Sequence, residues 1–185
     1  ADVRRSQRFR TWSTSLLGVT AQANSIKPGS HALTLRPVSS AKSLMGELSK
    51  RGPHRVMRGD LAIAGQPGII CTPGEGLGLP AVSFGHAWLT PADGYRKLLE
   101  HLASWGIVAA APSTERGPVP SHLALADDMR TALDICTSVR LGTGAISVHP
   151  DRLAFAGHGM GAGAAVIAAQ KHDVTALALL FPTKT

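Results

Sequence analysis

A chain of 185 residues, 44% hydrophobic and only 17% charged, can bury one good core, and that balance excludes a disordered polyelectrolyte. No run of 18 apolar residues occurs, so hydropathy indicates no membrane-spanning helix, and the chain is expected in the cytoplasm or peripheral to a membrane. The net charge of +7 is unevenly placed: residues 1–58 hold 11 Lys and Arg against 2 acidic residues, and residues 59–185 hold 8 against 10.

The basic character therefore belongs to a leader. Within it, Arg4, Arg5, Arg8 and Arg10 accompany Phe9, Trp12, Leu16 and Val19, whose spacing of three, four and three places them on one helical face. Three readings stay open for residues 1–20: a helix packed on its own domain, contact with an acidic protein partner or an anionic membrane surface, or a targeting signal with Ala21-Gln22-Ala23 as its cleavage-like site. No basic motif interleaved with aromatics is present, so no nucleic-acid partner is expected. Residues 21–53, rich in Ser, Pro, Gly and Lys, read as an extended arm with one short helix near Ala41 to Ser49. The arm as a whole spans 1–54, and a core domain spans 55–185.

From Arg55 the pattern changes. Val56, Arg58, Leu61 and Ile63, then Pro67 to Thr72, predict two short strands joined around Gly65-Gln66-Pro67-Gly68 as a hairpin. Pro73-Gly74-Glu75-Gly76-Leu77-Gly78 predicts a turn, and it lacks the Lys-Ser/Thr that a phosphate loop needs. Ala81 to Gly85 reads as a buried strand, Pro91 to Trp105 as a helix with Tyr95, Leu98, Leu99 and Leu102 on one face, and Ile107 to Ala111 as another strand. Ser121 is a fitting N-cap for a helix whose apolar stripe is Leu125, Met129, Ala132, Cys136 and Val139. Leu153 to Ala156 and Val174 to Phe181 complete the strands, with a helix from Met160 to Gln170 between them. Strands alternating with helices imply right-handed crossovers: the 81–85, 107–111, 153–157 and 174–181 strands parallel, helices on both faces, and the 55–72 hairpin antiparallel at one edge.

The most informative stretch is Asp151 to Gly161. An apolar strand runs into Gly157-His158-Gly159-Met160-Gly161, and a small-residue helix follows, which is the layout of a Gly-x-Ser-x-Gly nucleophile elbow with glycine in place of the serine. Gly159 has no side chain to attack a carbonyl or carry an acyl group. With the block from Leu79 to Trp88, continuing through Tyr95 to Pro112, this stretch makes the chain from about Arg55 to Phe181 resemble the α/β-hydrolase superfamily, in its dienelactone hydrolase-like, chlorophyllase-like and cutinase-like esterase branch.

That resemblance implies an α/β-hydrolase-type, mainly parallel sheet and a set of roles. Gly157 and Gly161 would let the elbow turn tightly and the helix approach the sheet, and His158 would be structural. Met160 would offer its backbone N–H to an oxyanion, with a second donor from His86 or Ala87. The ligand implied is a small ester or acyl compound. The resemblance also places the catalytic acid and base after the elbow, beyond two further strands, yet only 24 residues follow Gly161. The fold is thus expected to be truncated after the strand that follows the elbow helix, either because the chain belongs to a longer one or because it is a shortened, non-hydrolytic relative. A catalytically inactive esterase relative is expected, with a partner- or membrane-associated binding platform as the alternative. No cofactor is expected. No metal is expected either, since His86, His101, His122, His149 and His172 lack ligand spacing. Ser83, Ser113, Ser121 and Ser147 suit strand and cap roles rather than that of a nucleophile. Cys71 and Cys136 read as small buried apolar residues, too few for a disulfide framework.

Overall fold

The alternation of strands and helices builds an α/β protein around a mixed six-stranded sheet. A computed structural model describes residues 40–183; the basic segment 1–20, with its three readings, lies outside the described residues. Helix α1 (Ala41–Leu48) comes first, capped by the Ser40 hydroxyl, which accepts from the Ser43 N–H. The sheet then collects β1 (Val56–Asp60), β2 (Gly68–Pro73), β3 (Gly76–Gly85), β4 (Val108–Pro112), β5 (Ile146–His158) and β6 (Ala176–Leu180) in the spatial order β1-β2-β4-β3-β5-β6. β1 and β2 are antiparallel, as are β2 and β4, whereas β4, β3, β5 and β6 run parallel.

Three helices connect the parallel strands: α2 (Arg96–Ser104) from β3 to β4, α3 (His122–Ser138) from β4 to β5 and α4 (Met160–Ala169) from β5 to β6. β4 lies on one side of β3 and β5 on the other, so right-handed crossovers send α2 to one face and α3 with α4 to the other. Side chains alternate accordingly. Ile70, Ala81, Val108, Ala110, Leu153 and Phe155 pack with Leu125, Met129, Leu133 and Ala164 under α3 and α4. Their strand neighbours Cys71, Val82, Phe84, Ala109, Ala111 and Ala156 pack with Leu99 and Ala103 of α2. α3 begins where the Ser121 hydroxyl accepts from Ala124 N–H, and its buried stripe includes Leu125, Met129, Ala132 and Cys136; Val139, at its end, is exposed instead.

Local departures from the sequence expectations have local causes. Leu61 and Ile63 are not strand residues. The Asp60 carboxylate accepts from the Ala62 N–H at 2.8 Å, which starts a 3₁₀ turn over Leu61–Ala64 that buries Leu61 and leaves Ile63 exposed. β3 begins at Gly76 rather than Ala81, so part of the expected turn is strand. Its pairing with β5 shifts register between Leu79 and Ala81, where Pro80 supplies no N–H, and β5 advances from Val148 to Leu153 across the same step. The helix expected from Pro91 opens as a 3₁₀ turn over Ala92–Tyr95 before α2.

Among the described residues, β6 pairs with β5 alone, and all five of its residues are exposed. An apolar strand, Ala-Leu-Ala-Leu-Leu, with a free edge and no charge to discourage pairing favours edge-to-edge association. Leu177→Lys with Leu179→Lys is expected to lower the apparent mass at high concentration toward that of the monomer without loss of helical signal. Light scattering coupled to gel filtration and circular dichroism check this.

Candidate functional site

Adjacent parallel strands β3 and β5 hand the chain to opposite faces of the sheet, so their carboxyl ends leave a crevice between them, where open α/β sheets hold ligands. Backbone strain gathers at this end. Leu89 follows β3 at φ 57°, Glu115 follows β4 at 52° and Phe181 follows β6 at 46°, and no other described residue except glycine has positive φ. Gly159, directly after β5, sits at φ 57°, ψ −116°. Each non-glycine residue held this way costs about 1–3 kcal/mol, which the surrounding packing has to offset.

The turn after β5 is a contact of backbone on backbone. A Cβ on Gly161 would lie 2.1 Å from the Gly85 carbonyl oxygen, and one on Gly157 would lie 2.2 Å from the Gly161 oxygen. α4 therefore starts pressed against the ends of β3 and β5, closer than any side chain permits. Gly159 anchors it from both sides. Its N–H donates to Leu180 O at 2.9 Å, and its carbonyl accepts from Ala162 N–H at 3.1 Å. The N–H groups of Met160 and Gly161, in the first turn of α4, have no acceptor inside the helix. At Gly159 there is more room: a Cβ there would meet only Ala87, at 3.4 Å from its Cβ.

The loop after β3 is braced by two side chains. His86 is fully buried, with Nδ1 2.9 Å from Ala87 O and Nε2 2.7 Å from Thr114 O. Carbonyl oxygens only accept, so the neutral ring donates to one of them and the imidazolium to both. His86 thus ties the β3 loop to the β4 loop. The Thr114 hydroxyl in turn donates to Asp128 Oδ2 at 2.5 Å on α3. Tyr95 is the second brace: its oxygen accepts from Ala87 N–H at 3.2 Å and lies 2.8 Å from His158 Nδ1.

This arrangement bears directly on the residues singled out from sequence. Gly159, Met160, His158 and Ala87 come together around one cleft of about 500 Å³, and Gly157 and Gly161 form the turn beneath it. His86 stands behind the wall, engaged with carbonyls. Of the three backbone donors named from sequence, the Ala87 N–H already has an acceptor in Tyr95, whereas the Met160 N–H has none inside α4. Trp88, Pro118, Val119 and Pro120 make the rest of the cleft predominantly apolar, and Thr183 adds a hydroxyl-bearing side chain to its lining. His122, the first residue of α3, also lines it, and its Nε2 is buried with no partner among the described residues.

Among the described residues, no serine or cysteine lines the cleft. Ser83 is buried in β3, Ser113 lies by a separate hollow beside β1 and β2, Ser121 caps α3, and the Ser147 hydroxyl accepts from Gly78 N–H at 2.9 Å. Among the described residues, no three His, Cys, Asp or Glu side chains are placed to hold a metal ion. Nor is any described helix long and apolar enough to cross a membrane. Tyr95, Trp88, Val119 and His122 were not identifiable as site residues from sequence. Nothing in the spacing of Tyr95 beyond a helical stripe, or in the position of His122 after a cap, points to the β5 turn.

Burial pushes the Cys71 thiol up to about 11 and the Cys136 thiol up to about 12, because a thiolate loses its hydration there. Neither is expected to react with a disulfide reagent at about pH 8 in the folded protein, and both should react after unfolding in urea, as thiol titration would show. The folded state prefers the protonated thiols. Their contribution to stability is therefore complete below the ordinary value of 9.0 and is lost as pH rises toward the folded values. The glycine contact yields a second expectation. Gly161→Ala forces a methyl group into backbone that cannot rotate away, and should cost at least about 1–3 kcal/mol, read as a lower urea midpoint at unchanged slope.

Compared with known proteins, the chain matches no family model and no curated protein sequence.

Proposed function

We propose that the protein is a non-hydrolytic relative of the α/β-hydrolase esterases that binds a small ester or acyl compound at the end of β5 without turning it over. One observation carries this reading: the residue at the strand-to-helix turn, where a nucleophile would project into the cleft, is Gly159, with positive φ and no side chain. The support around it is consistent. Trp88, Val119 and Pro120 offer an apolar surface for an acyl or aromatic group, and the free N–H groups at the start of α4 lie beside Gly159 for a carbonyl or carboxylate oxygen.

Binding without chemistry follows from the parts present. Polarisation of a carbonyl by backbone N–H survives loss of the serine, but covalent catalysis does not, and removing the serine of such a triad lowers turnover by about 10⁶ in the protease where it was measured. A serine at position 159 would fit the space beside Ala87 but would adopt strained backbone, and the resemblance expects its acid and base beyond the elbow strand and helix.

The test uses the full chain. Serine-directed phosphonates should leave it unlabelled, and ester hydrolysis should stay at background. A short-chain carboxylate or its p-nitrophenyl ester should quench Trp88 fluorescence saturably, and Trp88→Phe should remove that quench. Stoichiometric labelling of the unmodified chain would overturn the non-hydrolytic reading, and a quench retained in Trp88→Phe would place the ligand elsewhere.

A further inference from the structure

Helix α1 leaves its apolar side unburied. Ala41, Leu44, Met45 and Leu48 recur at spacings of three, one and three, which makes one continuous stripe over two turns. A stripe of this kind ordinarily faces the core of its own protein, yet no residue of α1 is buried: Leu44 is 47% exposed, Met45 73% and Leu48 44%. The helix is nevertheless tied to the body at its carboxyl end. His101 Nε2 donates to Leu48 O at 2.9 Å, Trp105 Nε1 donates to Lys50 O at 3.0 Å, and the Gly52 N–H donates to Ser104 Oγ at 2.9 Å. The end of α2 therefore holds the carboxyl end of α1, and the stripe stays unburied.

At the carboxyl end of α1, where His101 meets Leu48 O, lies a concave basic site. A cavity of about 450 Å³ is lined by Arg51, Arg58, Lys97 and His101, with Val56 at its wall. Its one carboxylate, Glu100, is paired with Arg58 at 2.6 Å, so Arg51 and Lys97 are left without an acidic partner among the described residues. The surrounding segment strengthens the field: Lys42, Lys50, Arg51, Arg55 and Arg58 stand against Glu47 alone between Ser40 and Arg58.

We infer that α1 and this cavity form a docking surface for an anionic phospholipid bilayer, with Leu44, Met45 and Leu48 entering the interfacial layer and Arg51 and Lys97 taking a lipid phosphate. Charge complementarity selects the occupant. An apolar stripe alone would suit any hydrophobic partner, but a short apolar helix flanked by a cluster of cations matches the two-part attraction of an interfacial helix. A soluble phosphate compound would satisfy the cavity and leave the stripe without a role. Eight residues of helix bind weakly on their own, so the cations are needed for retention. The site lies by β1 and α2, away from the cleft at Gly159, and the inference is independent of that cleft's function.

Flotation of the full chain with vesicles of phosphatidylcholine, with and without phosphatidic acid, tests the inference. Association is expected only with phosphatidic acid. Leu44→Ser, Met45→Ser and Leu48→Ser together should weaken it about ten-fold or more through lost apolar burial. Arg51→Ala with Lys97→Ala should weaken it about five-fold per cation. All five side chains are solvent-facing, and an unchanged thermal melt of each variant confirms that folding is intact. Equal association with uncharged vesicles would overturn the inference. So would association by the variants at the wild-type level, which would assign membrane contact to another segment. Inorganic pyrophosphate that binds with an affinity dependent on Arg51 and Lys97, without any vesicle association, would identify a soluble phosphate ligand and overturn the bilayer as partner.

Discussion

The site end of this molecule depends on the backbone contact between the start of α4 and the ends of β3 and β5. Gly161 meets the Gly85 carbonyl where a methyl group would stand 2.1 Å from the oxygen, and Gly157 meets Gly161 at a comparable distance. Because the approach involves main chain on both sides, it cannot be relaxed by rotating a side chain, and it fixes where the first turn of α4 points. The unpaired N–H groups of that turn, the position of Gly159 and the floor of the cleft all follow from it.

Around this contact, polar side chains brace loops. His86 joins the loops after β3 and β4 through two carbonyls, and Tyr95 joins the Ala87 N–H to His158 across the mouth of β5. Phe84 and Tyr95 meet at a tilt of 47° with centroids 4.7 Å apart, and Phe181 meets His158 edge-on at 6.0 Å. Leu89, Glu115 and Phe181 keep unfavourable backbone angles within this braced rim. Strain held by packing at the carboxyl ends of parallel strands is the usual setting for ligand recognition, and here it surrounds a position without a side chain.

Apolar surface is spread unevenly. The sheet is covered on both faces at β2, β3, β4 and β5, whereas β6 and α1 expose theirs. The two exposed elements differ in their surroundings. Among the described residues, β6 offers an unpaired edge and leucines without charge, which suits another strand, while α1 offers a helical stripe with cations at its carboxyl end, which suits an anionic surface. The hydrophobic effect makes both surfaces adhesive, and electrostatics separates the partners they fit.

Periodicity alone determined much of the architecture. The apolar runs at 81–85, 107–111 and 174–181, the stripe from Leu125 to Cys136 and the cap at Ser121 specify strands and helices through local spacing, and right-handed crossovers then leave few arrangements for them. The glycine pattern from Gly157 to Gly161 marked the sharp turn and the missing side chain, because those depend on residues adjacent in sequence. What the chain could not reveal locally was set by long-range packing. The Asp60 cap converted an expected strand end into a 3₁₀ turn, Pro80 displaced the β3 register, and Tyr95 captured an N–H that sequence reasoning had assigned to a ligand. Val119 and His122 reached the cleft only because the β4 loop folds over the end of β5. The exposure of α1 belongs to the same class. Its stripe is legible in Ala41 to Leu48, but the helix is held to the body by hydrogen bonds with His101, Trp105 and Ser104, more than fifty residues away.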